Sequence, residues 1–227
     1  MTRPSRFLMT TGLAAVLCVA ALSQSGCQTT REAYYNAWEN FGGYAKRERL
    51  VDYVKAARNE QGQAKETFAN ALEQFKSVVN FDGGDLERLY NRLNDAYEDS
   101  AGQAEEVRER IVSVRRVGQA LFEEWDGEVK QITDTDLRSR SRALYDETKS
   151  SYEEMLTRMD AAAATMDPVL TRFKDRVLFI KSNLNAQAVA SLKGTEIELG
   201  QDIQQLIAEM EASIREADEF IAKIQQG

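Results

Sequence analysis

The chain of 227 residues contains no histidine, two prolines, two cysteines and 13 glycines. Without histidine it lacks the commonest general base, the commonest transition-metal ligand and the usual pH switch near neutrality. The Glu-x-x-His motif of di-iron bundles is excluded with it. Both cysteines, Cys18 and Cys27, lie in the first 27 residues. The body beyond them therefore has no disulfide and no cysteine-based metal site. So few prolines and glycines leave little to break helices. Aromatic and β-branched residues form no alternating runs, so no strand is predicted. No G-x-x-x-x-G-K-[ST] loop is present to cradle a nucleotide phosphate, and no nucleophile stands beside an orienting base. No catalytic residue, cofactor or metal is expected, and the protein is expected to be non-enzymatic.

What remains is charge and apolar periodicity. Lysine and arginine number 29 against 37 aspartates and glutamates. Arg3 and Arg6 are the only charged residues of the first 27, so the rest carries 27 − 37 = −10. Such a surface repels nucleic-acid phosphates and anionic head groups. Neither nucleic acid nor nucleotide is expected as a partner, and the charges read as the solvated outer faces of helices.

The amino terminus reads as an address. Arg3 and Arg6 form a positive region, Phe7 to Leu22 a mostly apolar one, and small residues lead to Cys27. This is the order of a bacterial secretory signal over residues 1–26. Its apolar run is short and interrupted for a membrane span. Ser25-Gly26-Cys27 resembles the end of a lipobox, which makes Cys27 the candidate lipidation site, although Gln24 stands where leucine is usual. Cys18, preceded by bulky Val16 and Leu17, is the poorer candidate. Several acyl chains at about 0.8 kcal/mol per buried CH₂ would anchor the chain firmly. Gln28, in place of the aspartate linked to inner-membrane retention, points to the outer membrane. The expected location is the periplasmic side of a Gram-negative cell envelope.

Residues 27–33 form a polar tether, and 34–227 a single domain. Its central stretch carries core positions Leu86, Tyr90, Leu93, Tyr97, Ser100, Ala104, Val107, Ile111, Val114, Gly118, Leu121 and Trp125. Their steps of four and three, held in one phase, predict a helix from Leu86 to about Gln131 that packs lengthwise on others.

The other stretches follow the same logic. Tyr34, Tyr35, Trp38 and Phe41 form an aromatic cluster suited to the bundle end or to a lipid interface. A helix then opens at Lys46-Arg47-Glu48-Arg49, whose charges read as a solvated first turn or as a head-group contact. Its core is Leu50, Val54, Ala57, Ala64, Phe68, Ala71 or Leu72, Phe75 and Val78. Phe81-Asp82-Gly83-Gly84-Asp85 is a turn, with glycine as the helix stop and Asp85 as the next cap. It lacks the spacing of a calcium loop.

Glu123, Glu124, Asp126 and Glu128 read as a solvated acidic face beside a buried Trp125. Thr133 or Thr135 is expected to cap the helix from Asp136, with core positions Leu137, Ser141, Leu144, Thr148, Ser151, Met155, Met159 and Ala162. Met155, Met159 and Met166 read as core filler, or as a soft binding surface. Asp167-Pro168 favours a kink over a hairpin. The stripe continues through Val169, Phe173, Val177, Ile180, Leu184 and Ala188. Lys193-Gly194-Thr195-Glu196 marks a further boundary. The last stripe is Ile203, Ile207, Met210, Ile214, Ala217, Ile221 and Ile224. Short turns make successive helices antiparallel. The fold class is all-α: an elongated antiparallel helical bundle or coiled coil of three to four long helices.

These residues resemble a bacterial family named domain of unknown function 2959. The resemblance rests on Lys46-Arg47, Leu50-Val51, Ala57-Arg58 and Gln61, on the block FKSVVNFDGGDLERLYNRLNDAYEDS at 75–100, and on RIVSV at 110–114. LFEEW at 121–125, MDPVL at 166–170 and VLFIKSNLNAQA at 177–188 extend it to roughly residues 31–224. It implies an envelope-directed, coiled-coil-rich, often lipoprotein-like protein, with no established activity. Relatives often carry histidine where this chain has Ser182, which argues against an essential catalytic histidine there.

The expected role is a lipid-anchored scaffold, spacer or partner-binding rod. Its partner would be an envelope protein or a second copy, bound through helical faces. The alternative is a membrane-surface-binding or envelope-stress protein with a lipid-contacting helical face.

Overall fold

The computed structural model describes residues 42–80, 83 and 85–226. The chain divides into two units, Met1–Ala45 and Lys46–Gly227. Of the first, residues 42–45 are described and are helical.

The described residues form helices and no strand. Helix α1 spans Gly42–Val79, α2 Leu86–Gln131, α3 Thr135–Ala164, α4 Met166–Ser182, α5 Ala186–Ser191 and α6 Thr195–Gln226, with a 3₁₀ turn at Leu192–Gly194 before α6. At about 1.5 Å per residue, α2 is about 70 Å long. Interhelical pairs fix the directions. Arg142 and Arg115 of α2's neighbour and of α2 itself meet Asp126 and Asp160 at 2.8 Å, so α3 runs antiparallel to α2. Arg58–Asp218 at 2.5 Å and Lys65–Glu211 at 3.3 Å set α6 antiparallel to α1. Glu60–Arg110 at 3.4 Å and the pair Lys46–Glu124 do the same for α1 and α2. Lys223–Glu147 at 3.0 Å and Arg176–Glu198 at 3.8 Å place α6 along both α3 and α4.

The result is a four-rod, up-and-down bundle in which α3 and α4 together make the third rod. Phe75 of α1 and Phe173 of α4 meet across its interior, ring centroids 6.4 Å apart. The chain does not fold back at Pro168. Beyond it α4 continues along α2, with Arg108–Asp167 at 2.5 Å and Tyr97–Phe173 rings at 6.0 Å. Pro168 has no N–H and tolerates only the first turn of a helix. The break falls just before it, at Thr165, which keeps right-handed helical angles and whose hydroxyl donates to the Ala162 carbonyl at 2.7 Å. The kink reading holds.

Most expected core positions are buried. All those of α1 are, with Ala71 and Leu72 both inside. In α2, Leu86, Tyr90 and Tyr97 only flank the core, while Leu89, Phe122 and Val129 join it. A helix surrounded by several others buries more than the a and d seam of a two-stranded coil.

Three expectations need correction. In α3 the expected Thr148, Met155, Met159 and Ala162 are buried, but Tyr145, Tyr152 and Leu156 join them, whereas Leu137 and Leu144 are exposed and Ser141 and Ser151 lie at the margin. The large aromatics Tyr145 and Tyr152 take the inner positions next to Leu144 and Ser151, while the rest of the stripe keeps its phase. In α6, Leu206, Ser213 and Phe220 are fully inside, and Ile207 and Ile214 are half-buried. Leu184 is exposed, because α4 ends at Ser182 and a second helix start follows at Asn185, whose side chain accepts from the Ala188 N–H at 2.9 Å.

The turns are set by local chemistry. Gly83 has a φ of +146°, where a side chain is strained. Asp85 caps α2 by accepting from the Arg88 N–H at 3.1 Å. The cap of α3 is Asp134, not Thr133 or Thr135. One Asp134 oxygen accepts from the N–H groups of Asp136 at 2.9 Å and Leu137 at 3.0 Å. A full negative charge at the positive end of a helix outcompetes a neighbouring hydroxyl.

Candidate functional site

Cys27 and Cys18, the tether and the aromatic cluster at 34–41 lie outside the described residues. So does Asp82; Asp85 is spent as a helix cap. Two motifs within the described part, the basic start of α1 and the acidic run of α2, are brought together. Lys46 forms an ion pair with Glu124. The Arg47 guanidinium lies 4.3 Å above the Trp125 ring. The helix opens at Gly42, ahead of the expected Lys46, and Lys46 and Arg47 are seated on α2 rather than freely solvated. A cation over an indole face is attracted by the ring's quadrupole.

The acidic run is likewise divided among structural tasks. Asp126 takes Lys130 at 2.5 Å and Arg142 at 2.8 Å. Hydrogen bonds from Lys130 and then Arg142 hold its carboxyl below the usual aspartate range. Glu123 accepts from the Gln119 amide at 2.8 Å, and Glu128 is exposed. Among the described residues no three of the cysteine, aspartate and glutamate side chains gather as a metal site.

Trp125 belongs to an aromatic cluster. Phe122 stacks on it with centroids 6.2 Å apart, and Tyr145 meets both rings edge-on at 5.6–5.7 Å. Arg142 and Lys149 lie 4.9 and 5.7 Å from the Tyr145 ring centre. Such pairs contribute packing energy and orientation. Met155, Met159 and Met166 are fully buried, so they fill the core and offer no soft surface. Ser182, the last residue of α4, is exposed.

Two polar constellations escaped the sequence reading. At mid-bundle Gln61 is completely buried, and its carbonyl accepts from the Ser213 hydroxyl at 3.0 Å. Its amide nitrogen has no partner. The adjacent Glu60 is 7 % exposed and receives Gln103 at 2.6 Å and Arg110 at 3.4 Å. The signal was present: Gln61 stands four residues after Ala57 and three before Ala64, in the core phase. The second is Tyr152, whose hydroxyl donates toward the Val114 and Arg115 carbonyls at 3.3 Å each. Burial pushes that phenol up to about 12.

An open groove of about 670 Å³ lies between α1 and α2. Asn70, Gln74 and Gln103 offer amides there, Asp95, Asp99 and Glu106 carboxylates, and Ala71, Ala96 and Gly102 are its small residues. The arrangement can hydrogen-bond and attract cations, but it pairs no nucleophile with a base.

No curated protein matches the chain in a sequence search. A family model does match residues 34–224, nearly all of what the heptads and the bundle occupy, and the chain accordingly belongs to the family described as protein of unknown function (DUF2959).

Proposed function

We propose that this protein is a non-enzymatic cell-envelope lipoprotein. It is anchored through a lipid on Cys27, on the periplasmic side of the outer membrane, and acts as a coiled-coil scaffold, spacer or partner-binding rod. The observation that carries this reading is the order of parts. A leader ending in Ser25-Gly26-Cys27 is followed by a short polar tether, and then by a bundle whose longest helix runs 46 residues. The rod form supports a spacer, since helices packed lengthwise present long faces at a set distance from their base. The partner is an envelope protein or a second copy, read through a helix face or groove.

The first test is metabolic labelling with palmitate of the wild type and of Cys27→Ser. Label on the wild type and none on the variant supports the anchor. Label on both, or on neither, removes it. An affinity pull-down from crosslinked envelopes then compares the same two proteins. A defined partner that depends on Cys27 supports an anchored interaction protein. If neither form retains a partner and Cys27→Ser sediments with anionic vesicles, the lipid-contacting alternative replaces the scaffold. The use of Lys46 by Glu124 and of Arg47 by Trp125 counts against that alternative.

A further inference from the structure

We infer that the amino-terminal arm of α1, residues 46–60, opens from the bundle as a separate unit, with its boundary at Gln61. The arm is held at its start by Leu50, Val51 and Val54, all buried, and by the Lys46–Glu124 and Arg47–Trp125 contacts. The far part of α1 is held by Phe68, Leu72, Phe75, Val78 and Val79. Between Val54 and Phe68, a span of about 20 Å at helical rise, the only buried apolar side chains of α1 are Ala57 and Ala64. The facing stretch of α6 is equally slight, with Ser213 and Ala217 fully inside. The apolar seam of α1 therefore narrows to two alanines between its two bulky ends.

The gap holds the groups that gain most from water. Gln61 is completely buried with an unpaired amide nitrogen, and Glu60 is a nearly buried carboxylate. An unmade hydrogen bond inside a protein is a desolvation cost that opening returns. Gly62 follows directly, inside the helix, with nothing within 4 Å of the place its Cβ would occupy. Glycine is the ordinary residue least suited to a helix interior, so fraying that reaches this point meets the least resistance. Of the ion pairs that cross the gap, Arg58–Asp218 and Lys65–Glu211 are one-third to one-half exposed and add little, and the nearly buried Glu60, held by Gln103 and Arg110 of α2, lies at the boundary itself. Opening of the arm removes Arg47 from Trp125 and uncovers an apolar seat on α2. Proteins open in cooperative units of unequal stability, and the lowest are those with the fewest apolar contacts.

Native-state hydrogen exchange on the protein carrying Cys27→Ser tests this. Amides of 47–58 are expected to exchange at least tenfold faster than those of 104–122 in α2, with a weaker dependence on denaturant. Phe173→Leu, in the core of α4, is expected to accelerate 104–122 and leave 47–58 unchanged. Gln61→Leu is expected to slow 47–58 about tenfold, because Gln61 becomes hydrated when the arm opens. Equal rates in the two segments, or equal acceleration by Phe173→Leu, would overturn the separate arm. Exchange of 47–58 that ignores Gln61→Leu would overturn the boundary, and the wild type and Phe173→Leu decide the first point even if that variant misfolds.

Discussion

Gly118 shows how a single missing carbon fixes the contact of two helices. A Cβ at this position would lie 2.2 Å from the Tyr152 hydroxyl and 2.3 Å from the carbon that bears it. Alanine favours a helix over glycine by about 1 kcal/mol, but forcing a ring out of a packed core costs about 1–3 kcal/mol. Gly118→Ala is therefore expected to lower stability by up to about 2 kcal/mol in urea denaturation, whereas Gly102→Ala, with nothing within 4 Å of its Cβ, is expected to be neutral or stabilising. The same tyrosine sets an alkaline limit. Its phenol is raised by burial from the ordinary value of 10.0 to about 12. A raised folded pKa adds stability that is complete below pH 10 and is lost as pH rises through 12, because the unfolded chain ionises first. Melting temperature should fall faster between pH 10 and 12 for the wild type than for Tyr152→Phe, and parallel curves would remove the claim. Position 118 was legible as a core site from its phase. Its partner was not, because spacing within one helix says nothing of which ring on another fills the space.

At the scale of the element, helix ends are decided by competition among adjacent polar side chains. Thr133, Asp134 and Thr135 are all competent caps by type, and Asp134 takes two N–H groups with one oxygen. Asp134→Ala is expected to cost about 1 kcal/mol, and Thr133→Ala or Thr135→Ala well under half of that, measured by urea midpoints. If a threonine variant loses as much as Asp134→Ala, the cap is misassigned. Helix existence and extent were the most legible features: the long heptad run ends at Gln131, where the periodicity placed it. Rotation was less so. In α3 the stripe through Leu144 and Ser151 and the stripe through Tyr145 and Tyr152 differ by one position. Only the cluster with Phe122 and Trp125 chooses between them. The break at Asn183 and Asn185 was hidden because apolar residues continue on both sides at helical spacing.

For the whole molecule, the fold rests on a continuous interior shared by all the long helices, so damage at mid-bundle is not local. Val114 is completely buried in α2, next to the carbonyl contact with Tyr152, while Val112 two residues away is 54 % exposed. Either substitution by aspartate adds one negative charge to a chain that already carries −10 beyond the first 27 residues, so long-range repulsion changes equally in both. Burial alone separates them. At Val114 the carboxylate would be taken into the core, and burying a charge there costs several kcal/mol. That is a large part of the roughly 5–15 kcal/mol that holds an ordinary domain together. Val114→Asp should thus unfold the bundle, or lower its urea midpoint drastically, with helical signal lost from α1 to α6 in one transition. Val112→Asp should stay within about 0.5 kcal/mol of the parent. Equal stability of the two variants would mean that this face of α2 is not the interior of the bundle. A Val114→Asp protein that lost only α2's helicity would mean that the four rods do not share one core.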